Sequence, residues 1–386
     1  MTSLNTIFLI GILGSLAYVF YDSNLPSKVL SPEDIAHDGG LLFKLKDGRM
    51  LEYFDSKTLG PTVVMIHGGF QTGHIFQQYG LEEKYRIISP SLPGFGGSQS
   101  NNKRSFLSFG EDVRQLLDHL KVTSFLLGGG SYGGIHSAAI AAVIPERVLG
   151  WFVIAPVVPA LPDFKGYSAL IKIPHLYVIV HYLQAIPYLN RFIVKHLYKR
   201  IFSRPYSDSV WAELAGKDPL GSFQAQTQEF KEKVYSDFYR SVKYNLDGFP
   251  DISETEVQAI PHIDYLGLGK QMGTKPIHIH YGRNDTLVDP ACPTYMFDRL
   301  REGGATNVLL LPSDSVEGHY YTFTQVSAAI EQLVQELSLI QHPDCKTHDA
   351  TSVDDLLQDI PSGNSQQDSL GSIIHQAEEE MWHPEL

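Results

Sequence analysis

Gly129-Gly130-Ser131-Tyr132-Gly133 sets a serine hydroxyl among glycines, directly after the apolar run SFLLGGG and before the small-residue stretch GGIHSAAIAAV. Attack by a hydroxyl needs an oxygen held clear of the backbone on a sharp strand-to-helix turn, and only residues without bulky side chains fit beside such a turn. Ser131 is the candidate nucleophile. The pattern alone is weak evidence in a chain with 33 glycines, so its partners must carry the case. A serine needs a general base, and the base needs a carboxylate that fixes its tautomer and stabilises the imidazolium. In PIHIHYGRNDTLVDP a strand pattern ends at Gly282 with Asp285 three residues on, and in NVLLLPSDSVEGHYY another is followed by a loop bearing His319. Asp285 is the expected acid and His319 the expected base. Asp289 is the alternative acid, and Asp285 has a rival reading as a turn residue ahead of the next helix.

The oxyanion that develops on such a path needs preorganised donors. His67-Gly68-Gly69-Phe70 follows the strand pattern PTVVMI, and the amides of Gly69 and of Tyr132, next to the nucleophile, are the expected pair. The plainer reading of that loop is an ordinary glycine turn. This chemistry calls for no metal and no organic cofactor. The two cysteines, Cys292 and Cys345, can build neither a disulfide scaffold nor a Cys-rich zinc site.

The elements that must position these groups alternate. LLFKLKDGRMLEYF around Asp47-Gly48 predicts an opening antiparallel hairpin. PTVVMIH, YRIISPS, SFLLGGG, GWFVIAP, PIHIHYG and NVLLLPS read as short buried strands, with FGEDVRQLLDHL, YGGIHSAAIAAVIPERV and TQVSAAIEQLVQEL as helices between and after them. Strand alternating with helix predicts an α/β class with a mostly parallel sheet flanked by helices. The stretch from Val158 to Thr274 breaks the alternation with Pro-interrupted helical pattern and is expected to be a helical cap inserted between two late strands.

These motifs together resemble the α/β-hydrolase fold superfamily of lipases, esterases and peptidases. The resemblance spans about Leu41 to Leu339 and rests on the HGG loop, the SLPGFGGS turn from Ser91 to Ser98, the GGGSYGG elbow, the GRND turn and the Gly-His pair at His319. It implies a triad in the chain order Ser131, Asp285, His319, each following a strand. Two positions depart from the family pattern: Ser91 stands where relatives usually carry Asp, and Gly130 replaces the His common before the nucleophile. Neither removes a catalytic group. A serine nucleophile separates this chain from the epoxide hydrolases and haloalkane dehalogenases of the same fold, which use Asp.

Composition narrows the partners. Net charge is −13, and the segment from His342 to Leu386 holds ten acidic residues against Lys346 alone, a net of −9. No basic cluster suited to a phosphate backbone dominates, so no nucleic acid is expected. The acidic tail, 341–386, is expected to be disordered or loosely attached. From Leu4 to Tyr21 no residue is charged, which predicts a single-pass membrane anchor within 1–25, with a cleaved signal peptide as the rival and a buried N-terminal helix as a third reading. The hydrolase domain is expected over 38–340. In the cap, Ile193, Leu197 and Ile201 line up beside Val194, Tyr198 and Phe202, leaving Arg191, Lys195 and Lys199 on another side. That predicts a basic amphipathic helix, read either as a lid with solvated lysines or as a second membrane contact. Asn284-Asp285-Thr286 is an N-x-[ST] sequon beside the expected acid, which favours an unglycosylated, cytosolic catalytic domain.

The functional expectation is a membrane-anchored serine hydrolase acting on a small-molecule or lipid ester. Two alternatives stand beside it. One is a proline-iminopeptidase-like aminopeptidase, which would need cap carboxylates such as Glu213, Asp218 or Glu229 to hold a substrate amine. The other is a hydrolase fold kept as a receptor or scaffold.

Overall fold

The computed structural model describes residues 4–158, 186–209, 227–250 and 263–341, apart from 24, 26–29, 102, 205, 249, 286, 314–317 and 321–323. Helix α1 (Leu4–Ser23) and a short α2 (Pro32–Ala36) precede the hairpin of β1 (Leu41–Lys44) and β2 (Met50–Asp55). As the Asp47-Gly48 pair predicts, the turn closes with Gly48 at φ 90° and the Asp47 carboxylate accepting from the Arg49 amide at 3.0 Å. Then come β3 (Thr62–Ile66), β4 (Arg86–Pro90), α3 (Phe106–His119), β5 (Phe125–Gly130), α4 (Gly133–Val143) and β6 (Val148–Ile154). In the cap region lie α5 (Pro187–Phe202), α6 (Gln228–Lys243) and α7 (Tyr265–Met272). The fold closes with β7 (Ile277–Gly282), α8 (Ala291–Glu302), β8 (Val308–Ser313) and α9 (Val326–Gln341).

The eight strands form one sheet in the order β1-β2-β4-β3-β5-β6-β7-β8. β1 and β2 pair antiparallel, as do β2 and β4, and every later pair is parallel. The chain leaves β3 toward β4 and returns on its other side to β5. Such a reversal opens a crevice at the carboxyl ends of the strands, where ligands of open α/β sheets bind.

Both faces of the sheet are covered, which explains the continuous apolar runs. Along β3, β5 and β6, Val64, Ile66, Leu127, Trp151 and Val153 join a core with α3, α4, α7 and α8. Their alternate neighbours Val63, Met65, Leu126, Phe152 and Ile154 meet Ala329, Ile330 and Leu333 of α9. Period-two alternation thus divides each strand between two cores.

Two expectations concern the outer elements. Among the described residues, no helix is long and apolar enough to cross a membrane. The end of α1 packs on α5, with ring centroids 5.8 Å apart for Tyr18 and Phe192 and 4.8 Å for Phe20 and Tyr188. Asp22 meets His196 at 3.3 Å. On α5 the expected basic face is mostly spent inside the protein. Asp247 takes the Lys195 ammonium at 2.7 Å and the Arg191 guanidinium at 3.1 Å, and Lys195 is buried. Lys199 and Arg200 stay exposed. A cation whose carboxylate partner lies some fifty residues further on reads as a free charge in a local window. The chain divides into one compact unit, Met1–Ser338, and a second, Leu339–Leu386. The tail beyond Gln341, with Cys345, lies outside the described residues, as do much of the cap and the carboxylates Glu213 and Asp218.

Candidate active site

The chain turns from β5 into α4 at Ser131, whose φ is 53°. A left-handed conformation costs a non-glycine residue about 1–2 kcal/mol, and the backbone around it supplies the restraint. The Ser131 amide donates to the Ile154 carbonyl at 2.9 Å, and the Ser131 carbonyl accepts from Gly134 and Val157 at 2.9 and 3.0 Å. The flanking glycines are steric necessities. A Cβ on Gly129 would lie 2.4 Å from the Gly133 carbonyl oxygen, and one on Gly133 would lie 2.2 Å from that of Ile66. The turn also leaves Ser131 at the start of α4, where the helix dipole favours negative charge.

His319 lies in a single 3-10 turn, Gly318–Tyr320, after β8. Its Nε2 is 2.9 Å from the Ser131 Oγ, and its Nδ1 is 2.8 Å from the Asp285 Oδ2. An ionised carboxylate only accepts, so Nδ1 carries the proton and Nε2 receives the serine O–H. Asp285 is buried and held by its own loop, its Oδ1 accepting from the Leu287 and Val288 amides, both at 2.9 Å. It is therefore a turn residue and the imidazole's partner at once, one oxygen for each task. Asp289, the alternative acid, is occupied elsewhere: its carboxylate accepts from the Ala291 amide at 2.9 Å at the start of α8. Three residues separated by up to 188 positions thus meet in one hydrogen-bonded line.

The loop after β3 adjoins the elbow. A Cβ on Gly68 would lie 3.5 Å from the Ser131 Cβ, and one on Gly69 3.9 Å from that of Tyr132, so the two expected oxyanion residues are neighbours across the turn. His67 secures the loop's start. Its Nε2 accepts from the Leu92 amide at 2.9 Å, which leaves Nδ1–H to donate to the Gly68 carbonyl at 2.8 Å. Full burial pushes its pKa down to about 3, so it is a neutral strut. Beneath Tyr132, burial likewise holds His136 well below the usual range.

A model of the alpha/beta hydrolase fold matches residues 61–173. The magnesium-chelatase 30 kDa subunit of Rhodobacter capsulatus is 34% identical over 117 residues, 29% of this chain and 39% of that protein. The dihydrolipoyllysine-residue acetyltransferase component of the acetoin cleaving system of Pseudomonas putida is 36% identical over 112 residues, 28% and 30% respectively. A thermophilic esterase from Thermogutta terrifontis superimposes with a TM-score of 0.52 at 17% identity, covering 77% of this chain and 98% of that one.

The chain has the α/β-hydrolase fold. Its match to these two curated relatives spans only 39% and 30% of their length, and the matched family segment carries the loop and the elbow but neither Asp285 nor His319. Within the hydrolase fold, the departure at Ser91 acquires a reason. The Ser91 hydroxyl donates to Glu52 at 2.6 Å and accepts from the Gly73 amide at 3.0 Å. An Asp there would set a second carboxylate against the buried Glu52. Contacts that gave no signal in the sequence also surround the loop. Phe70, at φ 69°, lies 5.2 Å from the Tyr198 ring and 5.8 Å from the Phe202 ring of α5. Thr72 meets Asp237 of α6. Asp237 and Arg240 could have been noticed as charges one turn apart on the apolar side of QEFKEKVYSDFYRSVK, but nothing in that segment names their partners. Among the described residues no cluster of three His, Cys, Asp or Glu could hold a metal ion. Burial pushes the Cys292 thiol up to about 12, leaving it protonated.

Proposed function

We propose that this protein is a serine hydrolase that cleaves a carboxylic ester through an acyl-enzyme. The observation that carries the reading is the unbroken line from the Ser131 Oγ through His319 to Asp285, at 2.9 and 2.8 Å. His319 takes the Ser131 proton as the oxygen attacks the ester carbon, while the amides of Gly69 and Tyr132 receive the charge on the carbonyl oxygen. The imidazolium then gives its proton to the leaving alkoxide. Water activated by the same imidazole releases the carboxylic acid.

A lipophilic acyl or alkyl group suits the aromatic cluster of Phe70, Tyr198 and Phe202 beside the loop. The same reading has the enzyme draw its ester from a lipid surface. The exposed Ile10, Leu13, Leu16 and Tyr21 of α1 would meet that surface. Of the carboxylates weighed for an aminopeptidase, Glu229 is described, and it faces solvent at 76% exposure in an ion pair with Lys233. That favours the ester.

Labelling by a fluorophosphonate probe tests the reaction class: the protein should label, and Ser131→Ala should not. Unlabelled wild type would make the chain a scaffold. Competition by lipid esters, short esters and N-terminal proline peptides then sorts the substrates, and competition by the peptides alone would replace the esterase with the aminopeptidase. Co-sedimentation of the full chain with phosphatidylcholine vesicles, lost in Leu13→Glu/Leu16→Glu, is expected for the lipid contact; a wild type that stays in the supernatant removes it.

A further inference from the structure

The loop that bears Gly69 is fastened at its far end by the cap. Thr72 is fully buried, and both its donors go to one carboxylate: its amide reaches the Asp237 Oδ2 at 2.9 Å and its hydroxyl the Oδ1 at 2.6 Å. Asp237 belongs to α6, 165 positions further along the chain. One turn later on the same helix, Arg240 makes a bidentate pair with Glu52 of β2, at 2.9 and 2.7 Å. Glu52 in turn receives the Ser91 hydroxyl, and Ser91 receives the amide of Gly73, the residue after Thr72. Two successive residues at the loop's exit are therefore held through two ionisable side chains of a single cap helix, all of them buried.

Within the loop, Gln71 reaches back so that its Oε1 accepts from the Gly68 amide at 3.1 Å. With His67 fixed at the start, the segment Gly68–Thr72 is a short bridge with one pier on the sheet and the other on the cap. Its middle is strained: Phe70 has a left-handed φ of 69°, a conformation that persists only where surrounding structure over-determines it. Asp237 is the partner that supplies this restraint at Thr72, since a buried amide and hydroxyl without an acceptor would otherwise drag the loop toward another arrangement.

We propose that Asp237 is a positioning residue that sets the oxyanion loop, so that ester hydrolysis runs at full rate only while α6 is seated on Thr72. The proposal rests on the hydrolase reading above. Asp237 touches neither substrate nor triad; it acts through Thr72 on the placement of the Gly69 amide. A displacement of about 1 Å in a catalytic group lowers a rate on the order of a hundredfold, which makes such a restraint visible in kcat. Substrates that lift or seat the cap would then change the rate through the same contact.

The test uses the full chain and 4-nitrophenyl butyrate, with kcat expressed per Ser131 titrated by fluorophosphonate so that misfolded molecules do not count. Asp237→Ala is expected to lower kcat per titrated site about 30- to 100-fold with KM within about threefold. Thr72→Val, which removes the hydroxyl donor together with the longer bond that the same oxygen accepts from the His74 amide at 3.3 Å, should lower it about tenfold, and Thr72→Ser, which keeps the hydroxyl in both roles, should recover most of that loss. Should Asp237→Ala fail to fold, the Val and Ser pair decides alone. A kcat per site within twofold of wild type in Thr72→Val overturns the proposal, as does a Thr72→Ser that falls as far as Thr72→Val. If wild type neither labels nor turns over, the hydrolase reading has failed. Amide hydrogen exchange then judges the loop by itself: exchange of 68–72 should quicken at least tenfold in Thr72→Val while β5 and β6 stay protected, and unchanged exchange overturns the positioning role.

Discussion

At the junction of β5 and α4 residue types are dictated by collision, since carbonyl oxygens lie 2.4 Å and 2.2 Å from the places where side chains on Gly129 and Gly133 would begin. Beyond β7 and β8 the restraint is of another kind. Asp285 is held by two amides of its own loop and His319 by one carboxylate, so hydrogen bonds rather than clashes select the side chains. The family match follows the same division, running from 61 to 173 and stopping short of both. Steric requirements leave a five-residue signature around Ser131. A hydrogen-bond requirement leaves a single residue whose surroundings can vary.

Breaking either side of the comparison should separate chemistry from framework. The largest effect belongs to Ser131→Ala, expected to lower kcat for a nitrophenyl ester by about 10⁶-fold with little change in stability, read by steady-state kinetics and urea unfolding. Asp285→Asn should cost about 10⁴-fold by favouring the wrong imidazole tautomer; a loss under tenfold would mean that another carboxylate holds His319. Gly133→Ala tests collision directly. It should destabilise the fold by roughly 3 kcal/mol or more in urea, and a variant of wild-type stability would show that the elbow can open.

A pH experiment sharpens the contrast between the elbow and the cap. Burial pushes Asp237 up to about 7 from its ordinary 3.8, against the pull of the Thr72 donors and Arg240, with Glu52 adding repulsion. His74, 3.9 Å away, is itself lowered, first by burial and then by Arg240. A carboxyl whose folded pKa is raised contributes stability that is fully present below the unfolded value and is lost as pH rises through about 7. Relative to Asp237→Asn, the wild type should therefore lose about 1 kcal/mol or more between pH 5 and pH 8 in urea unfolding. A constant difference would mean that Arg240 neutralises Asp237 throughout. The smallest effect is at the alternative acid. Asp289→Asn should leave kcat within about twofold and cost no more than about 0.5 kcal/mol at the start of α8, since Asn caps nearly as well as Asp.

Much of the sheet could be read in advance because its strands are apolar runs bounded by glycine or proline, and the Asp47-Gly48 hairpin because a tight turn needs those residues. The candidate residues Ser131, Asp285 and His319, which the structure brings within hydrogen-bonding distance, stood out for a mixed reason, steric at the first and positional at the other two. Choosing Asp285 over Asp289 was not a local matter: both carboxylates accept backbone amides, and only one also reaches an imidazole. The basic face of α5 was misread because Asp247 lies in a segment whose approach no helical period reveals.

By itself the sequence determined the elbow, since a turn that tolerates no Cβ on either side admits few residue types, and it determined which strands end beside it. Tertiary structure alone decided what closes around that elbow. Thr72 meets Asp237, Glu52 meets Arg240 and Lys195 meets Asp247 because burial leaves each of these polar groups only the partner that the fold brings within reach, and the local sequence around a charge carries no record of that partner.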